Sequence, residues 1–436
     1  ADYNVAVGKG ALSDDTQGSK STAIGYQALS TQNFTSATDS HNTAVGYNAG
    51  SLISTGINNT HIGSLAGDAA TTADSNTSVG AYAMTSVTTG GDNVAVGTSA
   101  LDVTTTGNLN TAVGRNALGA NTTGAGNTAV GKDAMLNNTT AGYNTAVGFG
   151  ALNTATTALQ NVAVGAGAMD SHTTGGYSAA VGYNALTAST TASNCVAVGP
   201  SACAAVTTGA SNVSVGAYAG QSTTTQLGTT AIGHYAGYYS TADTNVFMGY
   251  LCGYGGGNTS IATSTGSGNV LIGAYANCAA NSDNGNVVIG GYGLTGKGNL
   301  TGFINAGGGG IYQGNNSSTW STTSDQRLKK NIVDSSIGLA EINQIKVRNF
   351  EYKTKDDLSE IESDGLKETD IIDKSGVQVG AIAQEIQAVL PKCVKTETTG
   401  VLSVDSDNLT WHLVKAVQEL SAKNDALEAR IATLEG

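Results

Sequence analysis

The sequence predicts a mainly β protein, in which a parallel β-solenoid or β-roll of 17-residue coils precedes a small α+β domain with a C-terminal coiled-coil helix. Three observations lead to this prediction. A five-residue motif recurs along the first 290 residues, Gly and β-branched residues dominate that region, and the density of charged side chains changes abruptly near residue 324. We therefore expect a repeat region over residues 1–290, a junction over residues 291–323 and a separate domain over residues 324–436, with the coiled coil over about residues 407–436.

The repeated motif reads Asn, Thr or Val, Ala, Val or Ile, and Gly. Its glycines are Gly8, Gly25, Gly46, Gly63, Gly80, Gly97, Gly114, Gly131, Gly148, Gly165, Gly182, Gly199, Gly216, Gly233, Gly249, Gly273 and Gly290. From Gly46 to Gly233 each step is 17 residues, whereas the steps are 21 residues before Gly46, 16 before Gly249 and 24 before Gly273. A fixed period of this length is typical of solenoids, whose coils bury an apolar face only by stacking on one another.

One coil shows how the repeat predicts a strand and a bend. Thr111 and Val113 should share one face of a strand and Ala112 the other, because side chains alternate along a strand. Gly114 should end the strand at a bend where a Cβ would be crowded. A second short strand is expected at Ala117–Leu118, followed by a turn rich in Thr, Asn and Gly. Stacked coils at about 4.8 Å each make a rod of about 80 Å, and the Asn side chains of the motif should form a ladder.

The repeat resembles a known family of surface proteins. Asn212-Val213-Ser214-Val215-Gly216 and Asn4-Val5-Ala6-Val7-Gly8 are similar to the head repeats of trimeric autotransporter adhesins, although the period here is longer than is usual there. Those repeats form a left-handed β-roll. The resemblance implies a homotrimer, with three chains side by side over residues 1–290.

Composition excludes several classes of function. The net charge is −13, and residues 1–323 carry only five basic side chains and twelve Asp, with no Glu. Without a basic stripe, nucleic acid is not expected as a partner. Apolar runs of about 18 residues are missing, so membrane insertion is not expected. The five Cys and five His show no metal-ligand spacing, so neither a metal nor another cofactor is expected.

A second resemblance begins where the composition changes. Ser324-Asp325-Gln326-Arg327-Leu328-Lys329-Lys330-Asn331-Ile332 is similar at every signature position to the start of the endosialidase-type intramolecular chaperone domain, which lies at the C-terminus of phage tail fibres and tailspikes. Val379–Ile386, Pro391 and Leu402–Asp405 follow in the order that the family shows. The resemblance covers residues 324–436 and implies a domain that cuts itself off with a Ser–Lys dyad.

The resemblance also implies the roles of individual residues. Ser324 would be the nucleophile that attacks the carbonyl of Thr323, and Lys329 would be its general base. Asp325 and Arg327 would support the site. The reaction would be a single self-cleavage between Thr323 and Ser324, and no turnover enzyme is expected in residues 1–323, since paired carboxylates of the kind that hydrolyse glycosides are not apparent there.

The last 30 residues carry a heptad pattern. Apolar side chains alternate in steps of four and three, which is typical of the seam of a coiled coil. An Asn within the seam would fix the register of the chains. The seam residues are Leu413, Val417, Leu420, Asn424, Leu427, Ile431 and Leu434. Packing of one amphipathic helix on its own domain is the alternative, and the family resemblance favours a trimer.

Between the heptad and Ser324, shorter elements are expected. The pattern predicts a helix over Gly338–Lys346 capped by Ser335 or Ser336, and a strand over Val347–Lys353. A helix over Gln384–Leu390 should end before a proline, and Lys395–Val404 should form a hairpin that turns at Gly400.

Together these observations predict a receptor-binding bacteriophage tail fibre, in which a C-terminal chaperone drives trimerisation and folding and is then released. Its partners would be a host cell-surface receptor, either a glycan or an outer-membrane component, and other tail proteins. Its place would be the phage tail in the virion, after synthesis in the host cytoplasm. Residues 291–323, the new C-terminus after cleavage, are the leading candidate for receptor contact. A bacterial trimeric surface adhesin and a tailspike polysaccharide depolymerase remain as alternatives.

Overall fold

The computed structural model describes residues 2–254, 265–305, 311–313, 321–322, 325–357, 375–396 and 401–435. The chain divides into two compact units, Ala1–Thr323 and Ser324–Gly436. The first unit is a β-solenoid and the second is a small α+β unit. The parallel solenoid and the C-terminal helix confirm the predicted fold class of a single chain, while the trimer and the coiled coil stay predictions.

The first unit stacks one strand of three or four residues per coil, and each of these pairs in parallel with the strand of the next coil, whereas two additional two-residue strands pair only with each other and the last two strands pair antiparallel. The strands are β1 Val5–Val7, β2 Gly18–Ser19, β3 Thr22–Ile24, β4 Thr38–Asp39, β5 Thr43–Val45, β6 Thr60–Ile62, β7 Thr77–Val79, β8 Val94–Val96, β9 Thr111–Val113, β10 Thr128–Val130, β11 Thr145–Val147, β12 Val162–Val164, β13 Ala179–Val181, β14 Val196–Val198, β15 Val213–Val215, β16 Thr230–Ile232, β17 Val246–Met248, β18 Val270–Ile272, β19 Val287–Gly290, β20 Gly302–Asn305, β21 Ile311–Gln313 and β22 Ser321–Thr322.

The register of the stack follows the sequence period. Ala112 of β9 lies opposite Ala129 of β10, one period away along the chain. Where a step is shorter or longer than 17 residues, the strands still align on the motif, as between Ala231 and Phe247 and between Phe247 and Leu271. The extra or missing residues are therefore absorbed between strands. The motif glycines predict the positions of β1, β3 and β5 to β19, whereas β2, β4 and β20 to β22 have no motif glycine.

The prediction of a second short strand after the motif glycine is wrong. Turns follow Gly114, and no strand is assigned to Ala117–Leu118. Asn116 has a φ of 57° and Leu118 a φ of 52°. Positive φ values belong to the left-handed region and interrupt the extended backbone of a strand. Each regular coil of the described residues is therefore one strand, a glycine bend and a series of turns.

The glycine at the end of each strand is required by a backbone contact. Gly114 has a φ of 133°, and a Cβ there would lie 2.5 Å from the carbonyl oxygen of Gly131 in the next coil. An L-residue is disfavoured at that φ, and the carbonyl belongs to rigid backbone. The close approach of successive coils thus explains why the motif ends in Gly.

The core of the solenoid is narrow and consists of small residues from the strands and larger residues from the turns. The second residue of β3 and of each strand from β5 to β19, such as Ala112, is buried, as is the Leu or Met four residues after the glycine, such as Leu118. In the coils of His61 and Phe247, whose strand residues carry rings, the turn residue is Gly, at Gly67 and Gly253. Phe247 packs against Gly237, where a Cβ would lie 2.6 Å from the ring. The core thus keeps its volume by exchanging Ala and Leu for Phe and Gly.

The predicted Asn ladder is present. The Oδ1 of Asn110 accepts a hydrogen bond from the backbone N–H of Asn127 at 3.0 Å, and the Nδ2 of Asn110 donates to the carbonyl of Gly124 at 2.9 Å. Its members are all buried: Asn42, Asn59, Asn76, Asn93, Asn110, Asn127, Asn144, Asn161, Asn212, Asn245, Asn269 and Asn286. Where Ser178 takes the place of the motif Asn, the N–H of Cys195 donates to Ser178 Oγ instead, at 3.1 Å. The ladder gives partners to polar groups that would otherwise be buried alone.

The parallel stack extends beyond the last motif glycine. Strand β20 pairs in parallel with β19, and β21 and β22 continue the sheet in antiparallel pairing. Residues 291–323 therefore contribute strands to the sheet. Gly307–Gly310 and Ser317–Trp320, which the sequence places in the junction, lie outside the described residues.

The second unit has short elements and one long helix. It contains a 3₁₀ turn at Gln326–Leu328, α1 Leu339–Ile342, β23 Arg348–Phe350, a 3₁₀ turn at Lys355–Asp357, β24 Gln378–Gly380, α2 Ala383–Val389, a 3₁₀ turn at Pro391–Cys393, β25 Val394–Thr396, β26 Leu402–Val404 and α3 Ser406–Glu435. The core cluster of the described residues is Ile386, Leu390 and Cys393.

Sequence-based expectations for this unit hold in part. Helix α2 ends before Pro391, and β25 pairs antiparallel with β26 as a hairpin, although Gly400 lies outside the described residues. Helix α1 is shorter than expected, and its N-cap is Gly338 rather than a serine. The reason is that two carboxylates cap it, since Glu341 accepts from the N–H of Gly338 at 3.0 Å and Glu419 accepts from Leu339 at 2.9 Å.

Candidate cleavage site and association surfaces

The segment that carries the proposed nucleophile begins the second unit. Thr323 and Ser324, the two sides of the expected cleavage bond, lie outside the described residues. Asp325 is the N-cap of the 3₁₀ turn that follows and accepts a hydrogen bond from the N–H of Arg327 at 2.8 Å. Lys329 ends the same turn, where its N–H donates to the carbonyl of Gln326 at 3.0 Å. The turn therefore holds Asp325, Arg327 and Lys329 in one short, defined segment.

Asp325 and Arg327 form a bidentate ion pair. The Arg327 Nε lies 3.0 and 3.1 Å from the two carboxylate oxygens of Asp325, and the Arg327 Nη2 lies 2.5 Å from Oδ2. The guanidinium and the Arg327 N–H lower the pKa of Asp325 below its usual range. Asp325 is consequently an anion at neutral pH, which suits a role in holding the turn rather than in accepting a proton.

Lys329 is exposed in the single chain. An ammonium loses its proton near neutral pH only when burial or neighbouring cations disfavour its charge.

Other residues in the segments that resemble the chaperone family form ion pairs within the second unit. Glu385 on α2 pairs with Arg348 on β23, with 2.6 Å between Oε1 and Nη2. Asp405 precedes α3, accepts from the N–H of Asp407 at 3.2 Å and pairs with Lys395 at 3.0 Å. Arg348 lowers the pKa of Glu385, and Lys395 lowers that of Asp405. The role of Glu419, which caps α1 from the long helix, was not predicted from the sequence, since a Glu on a helix surface gives no local signal.

The heptad residues of α3 form an exposed apolar stripe. The six apolar residues of the seam are between 45% and 79% exposed. Asn424 donates to Glu428 Oε1 within the same helix at 2.9 Å. None of the helices in the described residues is long and apolar enough to cross a membrane. The stripe is therefore an apolar surface that the second unit of a single chain does not cover.

The solenoid carries a second apolar surface, on the outer face of its strands. In β3 and in β5 to β19, the residues on either side of the buried second residue are Val, Ile, Thr or Met, apart from Ala179 in β13, and many are 36–40% exposed. They are Ile24, Ile62, Val94, Val96, Val147, Val162, Val181, Val196, Val198, Val215, Ile232, Met248 and Val287. Because these strands stack in register, the side chains form one continuous ladder. We call this surface the valine ladder.

Comparison with known proteins supports a phage structural role. Residues 324–395 match the family model described as chaperone of endosialidase. A probable tail fiber protein of Escherichia phage Phieco32 is 29% identical over 131 residues, which cover 27% of this chain and 16% of that protein. The chain resembles a phage tail fibre that ends in an endosialidase-type chaperone. The chain spans about a sixth of the length of that tail fibre protein, and no solved structure matches significantly.

Proposed function

We propose that this chain is the distal part of a homotrimeric bacteriophage tail fibre, which attaches the virion to a receptor on the host surface. Its C-terminal chaperone aligns three chains, promotes folding of the solenoid and is released by cleavage between Thr323 and Ser324. The fibre joins other tail proteins in the virion after synthesis in the host cytoplasm.

The proposal rests on three boundaries that fall at the same position in the chain. The match to the chaperone family begins at residue 324, the two compact units divide between residues 323 and 324, and the charged residues become frequent at the same place. Cleavage at a boundary between two units that are built differently releases the chaperone without disrupting the fold of either product. The cleavage therefore falls between units rather than within one.

Trimerisation is supported by the two uncovered apolar surfaces. Contiguous exposed apolar area on a soluble protein marks an interaction site. The valine ladder repeats along the rod, so another copy of the same chain, with the same spacing between coils, matches it coil by coil. The seam of α3 has the four–three spacing of a coiled coil. A C-terminal coiled coil would bring three chains into one register and raise their local concentration before the solenoids pair.

The proposed chemistry is an acyl transfer followed by hydrolysis. The Ser324 Oγ attacks the carbonyl carbon of Thr323 as Lys329 accepts the hydroxyl proton, and the peptide C–N bond breaks as the Ser324 nitrogen takes up a proton. Water then hydrolyses the ester, which gives a carboxylate on Thr323 and restores the Ser324 hydroxyl. Lys329 is exposed in the single chain, so we expect cleavage only after other copies cover this segment.

Denaturing mass spectrometry of the full chain tests the cleavage. Wild type should give fragments 1–323 and 324–436, whereas Ser324→Ala and Lys329→Ala should stay whole. Lys330→Ala is the matched control, since it removes the adjacent exposed ammonium and should still cleave. A wild-type chain that has formed trimers and remains whole would show that the domain is a permanent trimerisation cap.

A further inference from the structure

The surface of the solenoid carries a groove of about 310 Å³, at coils whose strands are β10 to β13. None of the residues that line it belongs to a strand, so it is separate from the valine ladder. Its volume lies at the lower end of the range for small-molecule sites, about 300–1,000 Å³. We call it the glycine groove, because Gly150 and Gly167 lie along it.

The residues two positions after the motif glycine form a column of side chains along successive coils. Gly150 and Gly167 create the groove because they interrupt this column. The residue two positions after each motif glycine has a left-handed backbone, with φ values of 57° at Asn116, 56° at Asp133, 61° at Gly150, 65° at Gly167 and 53° at Asn184. The non-glycine residues show that this backbone accepts a side chain. The backbone therefore does not require Gly at 150 and 167. Their effect is to leave two successive coils without a side chain in the column, over a length of about 10 Å.

Two aromatic rings flank the groove. Phe149 is 59% exposed and Tyr183 is 61% exposed. The ammonium of Lys132 lies 5.2 Å from the centre of the Phe149 ring and helps to fix it. Elsewhere on the solenoid, tyrosine rings of neighbouring coils stack on one another, as do Tyr26 and Tyr47 at 5.4 Å. No such ring partner is found for Phe149 or Tyr183 among the described residues, so both rings have faces or edges available to a ligand.

The polar residues of the groove divide into satisfied and unsatisfied groups. Asp133 accepts from the Nδ2 of Asn116 at 3.0 Å and lies 3.4 Å from the Lys132 Nζ. By contrast, the side chains of Asp170 and Asn184 make no hydrogen bond within the described part of the chain. Asn153 accepts one, at 3.3 Å, from Asn137. Carboxylate and amide groups therefore remain to accept and donate hydrogen bonds between the two aromatic rings.

Exposed rings beside free carboxylate and amide groups have the chemistry that recognises a sugar. Ring faces contact the C–H groups of a pyranose, and carboxylate and amide oxygens accept hydrogen bonds from its hydroxyls. Asp133 is paired with Lys132, so Asp170 leaves the groove with a net negative charge, which disfavours an anionic sugar by charge repulsion. We propose that the glycine groove binds a neutral saccharide of one or two residues. This proposal rests on the attachment function proposed above and gives its receptor a chemical class.

The test is saturation-transfer NMR on the full chain, with methyl glucoside, methyl galactoside and methyl N-acetylglucosaminide as neutral probes and methyl glucuronide as an anionic probe. Wild type should give saturation transfer to at least one neutral probe and none to the glucuronide. Gly150→Asn should reduce that signal at least tenfold, because it fills the groove. A Cβ at Gly150 meets no atom closer than 3.9 Å, the Asp170 Oδ1, so the variant should fold.

Two controls make the result specific. Ser99→Asn places the same side chain at the same column position in another coil, where φ is 54°, and should leave the signal unchanged. Tyr183→Ala should lower it at least fivefold, whereas Tyr177→Ala removes an equally exposed ring outside the groove and should not. The inference is overturned if no neutral probe responds, if only the glucuronide responds, or if Gly150→Asn binds like wild type.

Labelling of a panel of bacterial strains with fluorescent full chain separates this inference from the attachment proposal. If Gly150→Asn labels cells as strongly as wild type does, the groove is not the receptor site, and the proposal that the fibre attaches to the host is retained. Wild type that binds a neutral glycoside but labels no strain would refute attachment and leave the groove as a saccharide site.

Discussion

The two units of this chain bury their residues in different ways. In the solenoid, each coil contributes a buried Ala or similar small residue and, in most coils, a buried Asn, and the Asn hydrogen-bonds to the next coil. In the described part of the second unit, the buried side chains are those of Ile386, Leu390, Cys393 and Ala416, and none is polar. The solenoid is thus stabilised by a contact repeated between neighbours, whereas the second unit has a small core and a long exposed apolar stripe.

This difference indicates which unit depends on other copies. A core of a few residues supplies little stability to a domain of this size. Burial of the apolar stripe on α3 by other copies would therefore supply a large share of the stability of the second unit. The coils of the solenoid satisfy most of their buried polar groups within one chain; the side-chain exceptions among the described residues are Asn48 Oδ1, His61 Nε2, Asp68 Oδ1, Asn121 Oδ1 and Gln221 Oε1. We therefore expect solenoid variants to act coil by coil, and helix variants to act through association.

The largest effect should come from the glycine bend. Gly114→Ala places a Cβ 2.5 Å from a backbone carbonyl of the next coil, at a φ of 133°, and should lower the free energy of unfolding by more than about 4 kcal/mol. A urea titration followed by circular dichroism measures it.

Gly291→Ala is the matched control, because a Cβ there meets nothing within 4 Å. Its free energy of unfolding should stay within about 0.5 kcal/mol of wild type. Equal losses in the two variants would show that the bend is not the constraint that the close approach implies.

The Asn ladder should give the next effect. Asn127→Ala removes the acceptor of the Asn144 N–H and the donor to the Ala141 carbonyl, both buried. The Asn144 N–H loses its acceptor, whereas the Ala141 carbonyl keeps a hydrogen bond from Asn138 Nδ2 at 3.3 Å, so the free energy of unfolding should fall by about 1–3 kcal/mol. Asn137→Ala, at an exposed Asn of the same coil, should change the same urea midpoint little. A small loss in Asn127→Ala would mean that water takes the place of the amide.

How far the sequence predicts the fold differs between these features. The period of the motif predicts the strands, their register and the Asn ladder, because one geometric constraint at the glycine repeats in every coil. The prediction of a second strand was wrong, because Leu118 adopts a left-handed backbone conformation that Leu rarely visits. Only the stacking of the coils imposes that conformation. The glycine groove was missed, because Gly150 and Gly167 look like ordinary turn glycines until the coils are aligned in space.

The candidate cleavage site depends on a different kind of inference. Ser324 and Lys329 are five residues apart, a spacing with no meaning of its own, and only resemblance to the chaperone family gives them a role. The structure adds the turn that holds Asp325 and Arg327 beside Lys329, while the dyad itself stays a prediction. The glutamate that caps α1 from α3 lies 80 residues away along the chain, a distance over which local patterns give no information.

A buried histidine should make the solenoid sensitive to acid. His61 lies at the central position of β6, with its Nδ1 2.7 Å from Ser78 Oγ, and burial lowers its pKa to about 4. Between about pH 6.5 and pH 4 the unfolded chain binds a proton that the folded chain does not. Stability is therefore full above pH 6.5 and falls as the pH decreases to 4, by about 3 kcal/mol at most.

His61→Phe is the matched control for that pH dependence. The flanking Gly50 and Gly67 leave room for a ring, as Gly237 and Gly253 do for Phe247. Urea midpoints at pH 7 and pH 4.5 should differ less in this variant than in wild type. His172 is also buried, and its pKa is lowered by burial, so part of the slope should remain. An unchanged slope would exclude His61 as its source.

The smallest effect on a single chain, and the most informative about the second unit, should come from the seam of α3. Leu420 and Leu427 are exposed in the single chain, so replacing both with Ala should change the monomer's free energy of unfolding by less than about 1 kcal/mol. In a trimer, the side chains of Leu420 and Leu427 would be buried in all three chains. Light scattering of the cleavage-deficient Ser324→Ala chain should therefore show a trimer that becomes monomeric at low concentration when both leucines are replaced. Replacing Ala422 and Ala429 with Ser, two exposed positions of α3 outside the seam, should leave the trimer intact. If neither pair changes the mass, the helix is not the trimerisation element, and the valine ladder alone would have to hold the three chains together.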